Sequence, residues 1–195
     1  MGLIITLVIL ALIVFWAVGM YNNLVNSRNR VRNAFSQIDV QLTRRYDLIP
    51  NLVETVKGYM SYEKSTLEAV ITARNAAQAG LKKAAADPSD PEAIKQLAAA
   101  ESTLGGTLGR LFALTEAYPD LKASQNMREL QEELTSTENK VSFARQAFND
   151  SVLGYNNSCQ NFPGSLIANN FGFKPAEYLE IEQPEKRAAP KVSFS

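Results

Sequence analysis

The sequence predicts an all-α protein: an N-terminal transmembrane helix followed by an antiparallel up-down four-helix bundle. Three observations carry that prediction. The chain opens on an aliphatic run, GLIITLVILALIVFWAV from Gly2 to Val18, and its first charged side chain is Arg28. Beyond the run, apolar residues recur at alternating spacings of three and four, the period of a helix face rather than of a strand. Prolines and short polar links fall where those stripes stop.

The first element is the anchor, residues 1–21. A bilayer core of about 30 Å takes about 20 apolar residues in a helix, and Gly2 to Tyr21 supplies that length with Thr6 as its polar interruption. A secretory signal would open on Lys or Arg and close on a small-x-small site. No basic side chain precedes the run and Ala17-x-Gly19 is a poor site, so a retained anchor is expected. Met1-Gly2-x-x-x-Thr6 matches a myristoylation pattern, but it is embedded in the spanning run and reads as incidental. No cysteine stands just past the run, where a lipoprotein would carry one. Between Tyr21 and Tyr46 come Arg28, Arg30, Arg32, Arg44 and Arg45 against one acid, Asp39. The positive-inside rule then predicts a single pass with the N-terminus outside and the bundle in the cytoplasm.

The next helix carries Leu24, Val31, Phe35, Ile38, Leu42, Tyr46 and Ile49. Pro50 disfavours helical backbone at Ile49 and removes a donor, so a turn or kink is expected near Asp47 to Ile49. A second stripe follows, Leu52 or Val53, Val56, Tyr59, Leu67, Val70, Arg74 and Ala77, fading at Gly80. The linker Ala84 to Pro91 contains the start of the third helix: Asp90 suits an N-cap, and Pro91 the first helical position, where its missing N–H costs nothing. That helix reads Ile94, Leu97, Glu101, Leu104, Leu108, Leu111, Thr115 and Tyr118, and Pro119 ends it. The fourth and longest stripe is Met127, Leu130, Leu134, Thr137, Val141, Ala144, Phe148, Val152, Tyr155 and Cys159, stopping before Pro163. Short links make such helices antiparallel neighbours. Gly164 to Leu179 is expected to cap one bundle end, so the domain covers residues 22–179, and residues 180–195 form an extended or disordered tail.

Composition removes whole classes of function. Lys plus Arg equals Asp plus Glu, at 20 each, and no strongly basic region lies beyond the anchor flank, so nucleic-acid binding is set aside. The chain has no histidine, which removes the commonest general base, the usual zinc and iron ligand and the phospho-acceptor of a sensor kinase. Hydrolases built on Ser-His-Asp or Cys-His are excluded in cis. With Cys159 alone, no intramolecular disulfide or thiolate metal cluster can form. No cofactor and no metal is expected.

Four groups of residues and one cysteine remain as candidates. Glu129, Glu132 and Glu133 have helical spacing, but a ferritin-like metal site also needs Glu-x-x-His, and a solvated acidic face paired with Arg128 is the better reading. Glu101 occupies a core position between Leu97 and Leu104; burying its charge unpaired is costly, so Arg74 or Arg45 is expected beside it as a structural ion pair, with a catalytic acid as the sharper alternative. Gly105, Gly106 and Gly109 resemble a phosphate loop, yet no Gly-Lys-Ser/Thr follows, and each costs a helix about 1 kcal/mol relative to Ala. Close packing by another helix, of this chain or of a partner, is expected there. Arg28, Arg30 and Arg32 are candidates for binding anionic lipid headgroups. Cys159 lies on an apolar stripe and is expected to be buried.

Long stretches of the chain resemble the bacterial LemA family. They are IDVQLTRRYDLIPNLVETVKGYMSYE from Ile38 to Glu63, LGRLFALTEAYPDL from Leu108 to Leu121 and LQEELTSTENKVSFARQAFND from Leu130 to Asp150. Phe162 to Pro175, with its FPG and FGFKP, and the closing Pro190-Lys191-Val192-x-Phe194 complete the resemblance. It implies a membrane helix followed by an up-and-down four-helix bundle. It brings no catalytic residues that could be carried onto this chain, and the family name's overlap with a sensor histidine kinase finds no support in a chain without histidine. It also implies work in the cell envelope, in membrane-protein quality control or, for a magnetosome relative, in membrane remodelling. The resulting expectation is a scaffold or adaptor of the bacterial inner membrane, without catalysis. Its partners would be the bilayer, further copies of itself or other envelope proteins. A carboxylate-dependent hydrolase using Glu101 and a module binding anionic membrane surfaces are the alternatives.

Overall fold

One helix, α1 (Gly2–Lys57), carries the aliphatic run straight into the centre of the domain. None of the apolar side chains from Leu3 to Val18 is buried, and from Leu24 onward one stripe of the same helix is buried completely, through Val31, Phe35, Ile38, Leu42, Tyr46, Ile49 and Leu52 to Val56. The computed structural model describes residues 1–60 and 62–181. The other helices are α2 (Lys64–Ala86), α3 (Pro91–Thr115), α4 (Pro119–Ala123), α5 (Gln125–Gln160) and α6 (Gly164–Phe171), and no strand occurs among the described residues. The described residues are therefore all-α in class, with one long apolar N-terminal helix, as the spacing predicts.

The expected turn at Pro50 does not occur. α1 continues through the proline to Lys57, and the chain reverses in the following turn, which leads to α2 at Lys64. A proline inside a helix deprives the carbonyl four residues earlier of its donor, here that of Tyr46. Arg74 of α2 fills that vacancy: its Nε donates to the Tyr46 carbonyl oxygen at 3.1 Å. The lost backbone bond is thus replaced from a neighbouring helix, and the helix survives.

α2 likewise does not fade at Gly80 but runs on to Ala86, burying Gly80, Leu81 and Ala84. At Gly80 α2 packs closely on α3: a Cβ there would lie 3.4 Å from the Cα of Leu97. The link to α3 shrinks accordingly to Asp87–Asp90. Asp90 caps α3 as expected, accepting from the Glu92 amide at 3.0 Å, with Pro91 behind it in the first turn. α3 ends at Thr115, short of Tyr118, and Pro119 opens the short α4 rather than terminating α3.

The contacts give each pairing its direction. α1 meets α5 through Phe35 with Phe148, ring centroids 5.6 Å apart, and through Arg44 with Glu133, so the two run antiparallel. α1 meets α2 through Tyr46 with Arg74 and Arg32 with Asp87, again antiparallel. α2 meets α3 at Gly80 with Leu97 and at Lys83 with Gln96. One continuous hydrophobic core joins them, from Leu24 to Leu179.

The segment after α5 does more than cap an end. α6 sits beside Met20 and Tyr21, where the apolar run of α1 stops. Gly172, in the left-handed region with φ +74°, ends it, and the Phe173 amide donates back to the Ala168 carbonyl at 3.0 Å. The chain then runs back along α5 in extended form, burying Phe173, Ala176 and Leu179 at every third residue. No sheet satisfies its backbone; side-chain amides do. Asn156 brackets Ala176, accepting from its N–H at 2.8 Å and donating to its carbonyl at 2.9 Å, and Asn149 does the same for Leu179 at 2.9 and 3.4 Å. Of the expected tail, residues 182–195 lie outside the described residues.

Candidate functional site

The most polar point of the core lies about halfway along the domain, where α1, α2, α3 and α5 all contribute. On α1, Arg45 and Tyr46 follow Leu42 at spacings of three and four, which turns both into the apolar seam. On α3, Glu101 takes the seam position between Leu97 and Leu104, and its carboxylate is fully enclosed. Arg45 Nη1 lies 2.9 Å from Glu101 Oε2 and 3.2 Å from Glu138 Oε2 of α5. The Tyr46 hydroxyl donates to Glu101 Oε1. Both carboxylate oxygens of Glu101 are therefore occupied by partners on α1.

Arg74, the other expected partner of Glu101, goes elsewhere. Besides the Tyr46 carbonyl it reaches Gln78 Oε1 at 3.1 Å and Asp47 at 3.9 Å. It joins the cluster through Tyr46, not through Glu101. The sequence reading also missed two members. Tyr46 was visible as an apolar seam residue, and its hydroxyl gave no separate signal. Glu138 follows the seam residue Thr137, half a step off the stripe, where acids usually face solvent.

Electrostatics follows from this enclosure. Burial pushes the Glu101 carboxyl above the usual carboxylate range; Arg45 and the Tyr46 hydrogen bond pull it back, and Glu138 pushes it up again. The Tyr46 hydroxyl is driven upward by burial first, then by Glu101, and stays protonated as a donor. A general acid or base must come within hydrogen-bond reach of its substrate; two shallow surface depressions, one lined by Arg128 and Asn139 and one by Leu48 and Asn126, do not include Glu101. The arrangement can tie helices together, and the Glu101 carboxylate itself is closed off from solvent.

The other candidates are dispersed. Glu133 pairs with Arg44 of α1 and Glu129 accepts from Gln125, so the acidic run on α5 is tied into the surface by these residues. Among the described residues no three His, Cys, Asp or Glu side chains converge as a metal site requires. The expected packing against Gly105, Gly106 and Gly109 is not provided by the described residues, since among them a Cβ at any of these positions would meet nothing within 4 Å. The arginine trio is divided by the helix itself: Arg28 and Arg32 share one face, and Arg30 lies about 200° around from Arg28. Arg28 stacks its guanidinium 5.1 Å from the Phe173 ring centroid, Arg32 lies 3.8 Å from Asp87, and Arg30 is exposed. Cys159 is buried as expected; burial raises its thiol above the ordinary value and the Tyr155 hydrogen bond draws it partly back.

Fold and site together define a class: an all-helical, membrane-associated protein whose apolar N-terminal helix continues into a core cross-tied by a buried ion pair. Comparison with known proteins makes the class specific. Residues 34–194 match the LemA family, and the chain belongs to it. It is similar to magnetosome protein MamQ of Magnetospirillum gryphiswaldense, 26% identical over 84% of this chain and 65% of that protein. MamQ 2 of Paramagnetospirillum magneticum is 25% identical over the same shares. Protein LemA of Metamycoplasma hominis is 24% identical over 88% of this chain and 74% of that protein. The chain thus spans somewhat less than two thirds of the MamQ relatives' length.

Proposed function

We propose that this protein is a non-enzymatic scaffold or adaptor of the bacterial cell envelope. In this reading it crosses the inner membrane once, with the N-terminus outside, and α1, α2, α3 and α5 form a four-helix bundle on the cytoplasmic side. It acts by associating with copies of itself or by recruiting envelope membrane proteins. The observation that carries the reading is the continuity of α1. A single helix of 56 residues includes both the exposed apolar run and the buried seam of the domain, so span and domain form one stiff body rather than an enzyme on a tether. The enclosure of Glu101 supports a structural role for the one carboxylate that sequence reasoning put forward as catalytic. The magnetosome designation of the MamQ relatives fits work at an envelope membrane.

Crosslinking in native membranes, followed by blue-native electrophoresis of the detergent-extracted chain, tests the assembly. A discrete complex larger than the monomer is expected; a monomer with no co-purifying partner contradicts the reading. Orientation is read from a Tyr62→Cys variant in a Cys159→Ala background, because Tyr62 is 96% exposed at the far end of the domain and Cys159 is buried. Protection from a membrane-impermeant thiol reagent on intact cells is the expected result.

A further inference from the structure

The span-side end of the domain presents a second apolar surface that no described part of the chain covers. From Ser151 to Phe173 the sequence carries no charged side chain, and from Gly2 to Ser27 it carries none either. The fold brings these two uncharged stretches to the same level. A Cβ at Gly164 would lie 3.5 Å from the Met20 methyl carbon, and the Tyr21 ring meets Phe171 and Phe173 edge-on, at 5.0 and 5.5 Å between centroids. α6 turns Gly164 and Ala168 inward. Phe162, Leu166 and Phe171 remain 80%, 53% and 63% exposed.

We propose that α6 and the Phe162–Pro163 turn before it are a second membrane contact, resting at the boundary between headgroups and acyl chains of the bilayer that α1 crosses. The inference rests on the reading of α1 as a span. Lipid is the occupant that the surroundings favour. The surface is continuous with the span at Tyr21, and aromatic rings collect at this depth of a bilayer, as Trp16 and Tyr21 do on α1. The next charge after the uncharged stretch, Lys174, is exposed at its edge, where an ammonium meets lipid phosphates. A short helix with an apolar face lies in the interfacial plane for the same reason that longer amphipathic helices do. The consequence is mechanical. One crossing helix leaves the domain free to rotate about the membrane normal and to tilt, whereas a second foothold beside a stiff α1 fixes both the tilt and the face presented to neighbours.

The test uses the full chain in vesicles whose phosphatidylcholine and phosphatidylglycerol carry bromine on the acyl chain near the headgroup, compared with unbrominated lipid. Trp16 of the unaltered chain reports the span. Leu166→Trp and Phe162→Trp report the proposed contact and Phe143→Trp a 74% exposed site on α5 away from the span, all three in a Trp16→Phe background. Bromine should dim the indole at 166 and at 162 about twofold, as expected for a ring at the interface, and leave that at 143 unchanged. Quenching of Trp16 without quenching at 162 and 166 would overturn the proposal and leave the span standing. An unquenched Trp16 would overturn both. Emission at 162 or 166 that shifts with protein density instead of bromine would assign the surface to a second copy of the chain and overturn the lipid assignment. Far-UV circular dichroism checks each variant, and either of the two independent positions suffices should the other fail to fold.

Discussion

The middle of the domain and its span-side end handle polarity in opposite ways. At the middle, charge is taken into the core and matched: Arg45 between Glu101 and Glu138, the Tyr46 hydroxyl on Glu101, and Arg74 on the carbonyl that Pro50 leaves without a donor. At the span-side end charge is removed from the sequence, and apolar rings are left uncovered. A buried ion pair is weak evidence for stability, because desolvation offsets the Coulomb attraction; what it supplies here is register. Arg45 and Tyr46 of α1 reach Glu101 of α3 and Glu138 of α5 in one axial position, and a slip of either helix would strand a charge. The span-side end needs no such register if lipid covers it.

The largest expected effect comes from breaking the middle. Glu101→Ala leaves the Arg45 guanidinium enclosed with one carboxylate partner removed, and should cost about 3 kcal/mol in denaturant unfolding. Glu101→Gln keeps an acceptor for Tyr46 and should cost less than Ala. It should also change the pH profile. The folded carboxyl holds its proton more tightly than the unfolded one, whose ordinary value is 4.5. The contribution of Glu101 is therefore fully present below that value and is lost as pH rises through the raised folded value. Unfolding measured across this range should show a decline in the unaltered protein that Glu101→Gln flattens; equal slopes would contradict the assignment.

The second effect concerns Pro50. Arg74→Ala leaves the Tyr46 carbonyl without its donor, at a cost of about 1 to 3 kcal/mol. Pro50→Ala in the same chain restores the backbone amide, so Arg74→Ala should cost less in that background than in the unaltered chain. An equal cost in both backgrounds would mean that Arg74 acts through Gln78 or Asp47 instead.

The smallest effect separates two kinds of glycine. Gly106→Ala should stabilise the domain by up to about 1 kcal/mol, because a Cβ there meets nothing. Gly80→Ala gains the same propensity but must fit its methyl against Leu97, so it should gain less or lose. Thermal unfolding of the pair checks the order.

These particulars show how far the sequence could be read. Helix α3 was legible at its start, where period, cap and proline agree, with Asp90 and Pro91 placed as expected, and α5 from its period, which runs from Met127 to Cys159. Local rules failed where a distant residue overrides them. Pro50 predicts a turn or kink, yet α1 runs on through it, and Arg74 from α2 supplies the donor that the Tyr46 carbonyl lacks. Glycines 105, 106 and 109 predicted a close neighbour from their cost alone, whereas the close approach lies at Gly80, where the stripe had been read as fading. At the candidate site, Glu101 stood out because a charge on an apolar seam must be matched, and Arg45 was one of its two expected partners. Tyr46 and Glu138 carried no such contradiction and so no signal. α6 mixes Gly, Pro and apolar residues without a long period, and its placement beside Tyr21 is a tertiary fact.

The central claim is that α1 is one rigid element carrying the span and both contrasting regions of the domain. Spin labels at Val18→Cys and Val40→Cys, both exposed positions, in a Cys159→Ala background of the membrane-reconstituted chain, measure it directly by electron–electron double resonance. A continuous helix places the backbone positions about 33 Å apart at 1.5 Å per residue, and the account predicts a single narrow distance distribution near that value. A broad or bimodal distribution would mean a hinge between span and domain, and would contradict it.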